Sequence, residues 1–350
     1  MKVLRIFGEH NTHILPKSRL GRAGRQPVLL LRLRGGLGNQ LFQYAAGRAL
    51  ALRNGVPLRL DRTSGFRSDP YGRSYDLGGF NVLDEGTEPV FSADLGIRAA
   101  LFREFVKRRE VWRMQAGQYF DQAIYNLRIK RPTVLDAYCQ SHRYFREIED
   151  LVRMDLEFKT APPGLSDVTA GEIMQGNSVC LHVRRLHGKE ADGSRPQSVA
   201  DYFGACDIAY YRRAIREIAS VHRSLRLFVF SDDIGWAQQN AGLFETEGSS
   251  VTVIDENPLR SFYLMRLCKH FIIANSTFSW WAAWLGGHAM KTVCVPSVWN
   301  RGERHFPRDL FPPGWRVVPA APTPPSACPA VADPSEAART THETPAERGG

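Results

Sequence analysis

The sequence predicts an α/β fold built from two Rossmann-like halves with parallel sheets facing across a cleft. Three observations predict it. Short apolar β-rich runs alternate with helical segments along most of the chain. That alternation starts afresh near residue 178, after a middle that reads as helical and loop-rich. The chain also has 350 residues, more than one hydrophobic core usually serves.

In chain order, VLLLRL (28–33) reads as a buried strand, and LFQYAAGRALALRNG (41–55) as a helix that Gly55 ends. VPLRLD (56–61) is the next strand, and TVLDAY (133–138) a later one. After the restart come SVCLHV (178–183), LRLFVFS (225–231), SVTVID (250–255), HFIIAN (270–275) and TVCVP (292–296). Helices are expected between most of them, over 210–220, 236–241 and 258–268. Short apolar strands separated by helices imply parallel sheets covered on both faces.

Composition narrows the class. Hydrophobic residues make up 43% and charged residues 23%, the profile of a soluble globular chain. Lys and Arg number 46 against 36 Asp and Glu, a formal charge of +10. That excess serves solubility first, and second attracts anionic ligands or an anionic membrane face. Nucleic acid is not an expected partner, because no basic stripe is interleaved with aromatics and no zinc-finger or helix-turn-helix pattern occurs. None of the six cysteines forms a CxxC pair, and Cys180, Cys268 and Cys294 lie in apolar runs as reduced core residues. Reduced cysteines suit a cytoplasmic protein. The first 20 residues carry scattered charges and no continuous apolar stretch, so they do not read as a signal peptide. No apolar run reaches transmembrane length. We expect a poorly ordered extension over 1–26, domains over 27–165 and 166–318, and a disordered tail rich in Pro, Ala, Thr and Ser over 319–350.

Ligands of open α/β sheets bind beyond the carboxyl ends of strands, so the strand ends matter most. After the first strand, Gly35, Gly36 and Gly38 make a flexible turn, and Asn39-Gln40 precede a helix. Glycines let the backbone approach a ligand, and a helix N-terminus favours an anion. The spacing is not the GxGxxG dinucleotide fingerprint, and a plain strand–helix turn has the same glycines. The strand over 178–183 runs into His182, Arg184 and Arg185. Adjacent arginines point in different directions, so one can face a cleft and match a phosphate, while a surface ion pair is the plainer use. FVFSDD ends in Asp232-Asp233; one of the two caps the following helix, and the other is open to a base or ribose. Two adjacent carboxylates alone do not make a metal site. Last, HFIIAN leads into NSTFSWWAAWL (275–285). Asn275 or Ser276 can cap the helix there, and its N-terminus with Thr277 makes a phosphate cradle. Trp280, Trp281 and Trp284 read as packing that locks this helix against the sheet and fixes its N-terminus.

Taken together, GGLGNQLFQYA (35–45), HVRR (182–185), FSDD (230–233) and NSTFSWWAAWL (275–285) resemble the bacterial α-1,2-fucosyltransferases of glycosyltransferase family 11. LDAYCQSHRYF (135–145), YYRRAI (210–215) and LCKHFIIANS (267–276) support the resemblance, which spans about 28–318. It implies a GT-B architecture, with acceptor bound by the N-terminal domain and donor by the C-terminal domain. It implies GDP-β-L-fucose as donor, the 2-hydroxyl of a terminal galactose as acceptor, inversion at the anomeric carbon, and no metal. The acceptor would be an oligosaccharide, lipid-linked at the inner membrane, in surface polysaccharide or O-antigen synthesis.

By the same resemblance, Arg184 would bind the pyrophosphate and offset the charge on leaving GDP, with His182 shaping the pocket and Arg185 beside it. Asn39, with Gly36, Gly38 and Gln40, would approach the β-phosphate or fucose. Asp232, next to Asp233, would contact guanosine, and Ser276 and Thr277, after Asn275, would donate to phosphate. No residue is named as base. The family pattern continues HxRRGD, whereas here Leu186-His187 follow the arginines, with Glu190 and Asp192 as the nearest carboxylates. Cys139 stands where relatives tend to carry an aromatic. The departure keeps two alternatives open: a silent GDP-sugar-binding relative, or a transferase with another donor or linkage.

Overall fold

The computed structural model describes residues 27–83, 111–113, 119–164, 167–185, 204–300 and 306–323. The expected extension over 1–26, most of the expected tail, and Leu186, His187, Glu190 and Asp192 lie outside these residues.

The first sheet holds four parallel strands in the order β2-β1-β4-β3. They are β1 (Leu29–Arg32), β2 (Leu58–Asp61), β3 (Val111–Arg113) and β4 (Thr133–Asp136). The second holds six parallel strands in the order β11-β10-β9-β5-β7-β8. They are β5 (Asn177–Val183), β7 (Leu225–Ser231), β8 (Ser250–Ile254), β9 (His270–Ile272), β10 (Val293–Pro296) and β11 (Arg316–Val318). A small antiparallel pair joins β6 (Ala205–Cys206) to β12 (Pro322–Thr323), so residues 319–323, expected in the tail, belong to the described structure. The helices are α1 (Leu37–Asn54), α2 (Gln122–Tyr125), α3 (Glu149–Asp155), α4 (Asp167–Met174), α5 (Ile208–Ala219), α6 (Ile234–Gln239), α7 (Pro258–Leu267) and α8 (Thr277–Leu285). Two parallel α/β sheets in succession are the GT-B arrangement expected from the sequence.

Strand order sets where the sheets open. In the second sheet the chain moves from β5 to β7 and β8 on one side, then from β9 to β10 and β11 on the other. The reversal lies between β5 and β9, and a crevice forms beyond their carboxyl ends. In the first sheet the reversal lies between β1 and β4.

Two local details depart from the sequence reading. Helix α1 begins at Leu37, not 41, so Gly38, Asn39 and Gln40 stand in its first turn. The positive φ of Gly35, +76°, completes the turn early and lets the helix start at once. Strands β3, β6, β11 and β12 were not anticipated; each is two or three residues long, too short to show a period.

The tryptophans are buried, as expected, but against a different partner. Trp280 and Trp281 are fully buried. Their rings lie 4.5 and 5.0 Å from Phe42 of α1, and Trp281 stacks on Phe145 at 5.4 Å. So they bind α8 to the N-terminal half. Trp280 Nε1 donates to Leu310 O at 3.2 Å, whereas Trp281 Nε1 is buried without a hydrogen-bond partner. At the other end of α8, Lys291 Nζ donates to the carbonyls of Ala283, Trp284 and Gly286, and Arg153 donates to that of Trp284. Both cations complement the negative end of the helix dipole.

Candidate active site

The two crevices face each other and merge into one cavity of about 870 Å³, within the range that holds a small ligand. Its C-terminal wall comes from the ends of β5 and β9. Arg184 follows β5, and Asn275, Ser276 and Thr277 follow β9. Its N-terminal wall comes from the ends of β1 and β4 and from the loop before Gly79: Gly36, Gly38, Asn39, Tyr71, Arg73, Tyr75, Asp76, Tyr138 and Gln140.

The walls touch where the helix N-termini meet. A Cβ on Gly38 would stand 2.4 Å from the carbonyl carbon of Thr277, closer than any side chain tolerates. Asn39 spans the same junction: its Oδ1 accepts from Thr277 Oγ1 at 3.1 Å and from Gln140 Nε2 at 3.0 Å. Its amide donors thus remain for other use. Ser276 holds the N-cap position of α8 with extended backbone, yet no side-chain cap forms there. The leading N–H groups of α8 and the Ser276 hydroxyl therefore point an uncapped, electropositive helix start at the cavity. Asn275 does not cap either. Its Nδ2 donates to Gly204 O and Trp299 O, both at 3.0 Å, which fixes the entry to the helix.

Arg184 is held by Asp232, Nε to Oδ2 at 3.1 Å, and is about one-third exposed. The other Asp232 oxygen accepts from the backbone N of Arg185 at 2.8 Å. Arg185 turns away from the cavity: its Nε meets Asp233 Oδ2 at 3.1 Å, and its guanidinium lies 4.1 Å over the Trp236 ring. Asp233 caps α6 through Trp236 N at 3.2 Å. So the four charges at these strand ends form two pairs, and of them Arg184 alone lines the cavity.

Three more of the expected site residues stand behind the surface. His182 is buried, with its ring 5.9 Å from that of Phe278, which does line the cavity. Burial, then the Arg184 charge, pushes its pKa down to about 3, so it is neutral at pH 7. Its Nδ1 has no hydrogen-bond partner. Gln40 is fully buried and spent on the protein, because its amide donates to Gly35 O and Ser74 O, both at 2.8 Å. Asp232, as described, is engaged by both arginines. Reach past a first row of side chains is a matter of tertiary packing, which residue type at a strand end does not encode.

The sequence reading missed most of the N-terminal wall. Tyr71, Arg73, Tyr75 and Asp76 lie in a Gly-, Pro- and Ser-rich loop; two tyrosines and an arginine among such residues were the available signal. Tyr138 and Gln140 flank Cys139, whose φ of 49° is unusual for a residue with a side chain. That conformation buries the thiol, raising its pKa to about 12, and leaves both neighbours on the cavity. Among the described residues no group of three or more His, Cys, Asp or Glu is placed to hold a metal.

Two parallel sheets whose switch points open onto one cavity, with an arginine and a helix start on one wall, make an α/β protein whose cavity chemistry suits an anion. The chain belongs to glycosyl transferase family 11, whose profile matches residues 104–318. It is 29% identical to an alpha-1,2-colitosyltransferase from Escherichia coli, over 82% of this chain and 98% of that one. It is 27% identical to the O-antigen biosynthesis glycosyltransferase WbnK, also from Escherichia coli, over 77% of this chain and 94% of that one. Human galactoside alpha-(1,2)-fucosyltransferase 1 is 25% identical over 72% of this chain and 64% of its own length.

Proposed function

We propose that this glycosyltransferase moves L-fucose from GDP-β-L-fucose to the 2-hydroxyl of a terminal galactose, giving an α linkage with inversion. The observation that carries the reading is the meeting of Arg184, Ser276 and the start of α8 on one wall of the cavity. When the bond from the anomeric carbon to the phosphate breaks, negative charge grows on the diphosphate. A fixed guanidinium and helix N–H groups stabilise that charge without reorganising. The backbone N–H of Thr277, whose hydroxyl already donates to Asn39 Oδ1, and the amide of Asn39 are the further donors on this side of the cavity. In this reading residues 166–318 bind the donor and residues 27–165 the acceptor. Asp232 acts by orienting Arg184, and His182 by supporting it from beneath. The α-1,2 linkage in the names of two relatives supports the linkage. The WbnK relative supports an acceptor in O-antigen synthesis.

One similarity favours a second donor. The relative named for colitosyl transfer covers most of this chain, and colitose is fucose without its 3-hydroxyl. The test is thermal melting with GDP, GDP-fucose, GDP-colitose, GDP-mannose and UDP-galactose, each with and without EDTA, followed by linkage analysis of any product. A ligand at about 100 times its dissociation constant adds roughly 2.7 kcal/mol to stability. A shift with GDP and GDP-fucose that EDTA leaves alone supports the reading; a larger shift and faster transfer with GDP-colitose moves the donor. Binding without turnover on any galactoside points instead to a silent relative. No described helix is long and apolar enough to cross a membrane. The +10 charge supports peripheral contact with an anionic leaflet, which liposome flotation without anionic-lipid dependence would rule out.

A further inference from the structure

Inverting transfer needs attack from the side opposite the leaving group, with the acceptor hydroxyl giving up its proton. The group that takes the proton therefore belongs on the wall facing Arg184. Among the described residues lining the cavity, Asp76 is the sole carboxylate, and it stands on that N-terminal wall.

Its surroundings suit the task. The backbone N of Asp76 donates to Gln40 Oε1 at 2.9 Å, and Gln40 Nε2 approaches Asp76 Oδ2 at 3.4 Å. The same Gln40 amide holds Gly35 O and Ser74 O. The carboxylate is thus hung from the first turn of α1, beside Asn39, with Oδ1 making no hydrogen bond. Arg73 is the cation next to it on its own loop, and Arg184 lines the same cavity from the C-terminal wall. Lys159 donates to Gly78 O at 3.0 Å, and the guanidinium groups of Arg62 and Arg34 lie over the rings of Tyr75 and Tyr138. Burial raises the Asp76 pKa above the usual carboxylate range, opposed by Gln40 and Arg73. A raised pKa makes a better base at neutral pH. Tyr71, Tyr75 and Tyr138 share the wall, each with an arginine guanidinium over one ring face.

We propose that Asp76 is the general base, its Oδ1 accepting the proton of the acceptor hydroxyl as that oxygen attacks the anomeric carbon of the donor. The proposal rests on the glycosyl-transfer reading above. The new bond joins acceptor oxygen to anomeric carbon. The bond from that carbon to the β-phosphate oxygen breaks, and its electron pair leaves with GDP toward Arg184. The acceptor proton ends on Asp76 and passes to solvent once product departs.

The experiment compares the wild type, Asp76→Asn and Asp76→Glu as full chains, with GDP-fucose and a galactose-terminated acceptor. Turnover, GDP affinity and the pH profile of kcat/KM are read for each. Asp76→Asn is expected to lose about 10²–10⁴-fold in kcat, to keep GDP affinity, and to lose the fall of kcat/KM on the acid side. Asp76→Glu is expected to recover part of the turnover and to show a displaced acid limb. Turnover by Asp76→Asn within about threefold of wild type, well short of a base's usual contribution, overturns the assignment. So does a joint loss of turnover and GDP affinity in both variants, which marks a loop that merely holds shape. A wild type inactive with every GDP-sugar fails at the control, which sinks the glycosyl-transfer reading and the base with it.

Discussion

On and behind the C-terminal wall of the cleft each charge at the ends of β5 and β7 has a fixed partner. Arg184 is set by Asp232, Arg185 by Asp233 and Trp236, and the start of α8 by Asn275. Behind it lie fully buried tryptophans and a doubly supported helix C-terminus. The N-terminal wall is a loop bearing Tyr71, Arg73, Tyr75 and Asp76, tied to α1 through Gln40. The difference fits the division of labour proposed above. A diphosphate presents the same charge at each turnover and is best met by donors that do not move. A glycan acceptor presents hydroxyls and ring faces, and loops on a rigid scaffold are where such surfaces are adapted.

The comparison breaks most sharply at Arg184. Arg184→Ala should cost about 3–4 kcal/mol of transition-state stabilisation, read as kcat/KM; near-normal turnover would remove the fixed wall from the chemistry. Gly38→Ala tests whether the walls must touch. With Thr277 backbone in its way, the added methyl should cost up to about 3 kcal/mol, read as a lower Tm and reduced turnover together. Gln40→Ala should release the loop wall at about 2 kcal/mol, from unpaired buried backbone groups. It should raise the acceptor KM more than it weakens GDP binding; an equal effect on both would erase the distinction between walls.

Acid should act on the other side. Burial holds His182 near a pKa of about 3 and His270 near about 4, His270 also beside His222, His288 and Lys269. Both folded values lie below the ordinary value, so the unfolded chain binds more protons in between. Stability should be full above about pH 6.5 and fall, on the order of 1 kcal/mol or more, as pH drops toward 4. Both residues belong to strands of the six-stranded sheet, so a Tm series from pH 7 to about pH 5, read for wild type and His270→Phe, should show a shallower slope in the variant. Smallest is Arg185→Ala, expected to cost about 1 kcal/mol or less in stability and little in turnover. A loss matching that of Arg184→Ala would mean that the wrong arginine faces the ligand.

Much of the frame was legible early. The apolar runs marked eight stretches as strand-like, and the restart near residue 178 located the second sheet. Those signals survive because a buried parallel strand needs a local run of apolar residues. Short edge strands such as β3 and β11 carry no such run. At the site, Arg184, Asn39, Ser276 and Thr277 were named in advance and do meet on one cavity. Gln40, Arg185, Asp232, Asp233 and His182 were named with them, but their polar atoms or rings are engaged behind it. Neighbours in sequence at a strand end share an address but not a direction.

By itself, then, the sequence determined the parallel α/β class, the strand ends that line the cavity, and the buried tryptophans. Each rests on interactions within a few residues: apolar periodicity, a glycine turn, a helix start. Tertiary structure alone decided which arginine faces the cleft, that Trp280 and Trp281 pack on Phe42 of the other half, and that Asp76 and Arg184 line one cavity. Those outcomes depend on contacts between segments far apart in sequence, from Arg185 with Asp233 to Phe42 with Trp280. Such contacts form only when both sheets are in place, because the burial that stabilises them is shared between the halves.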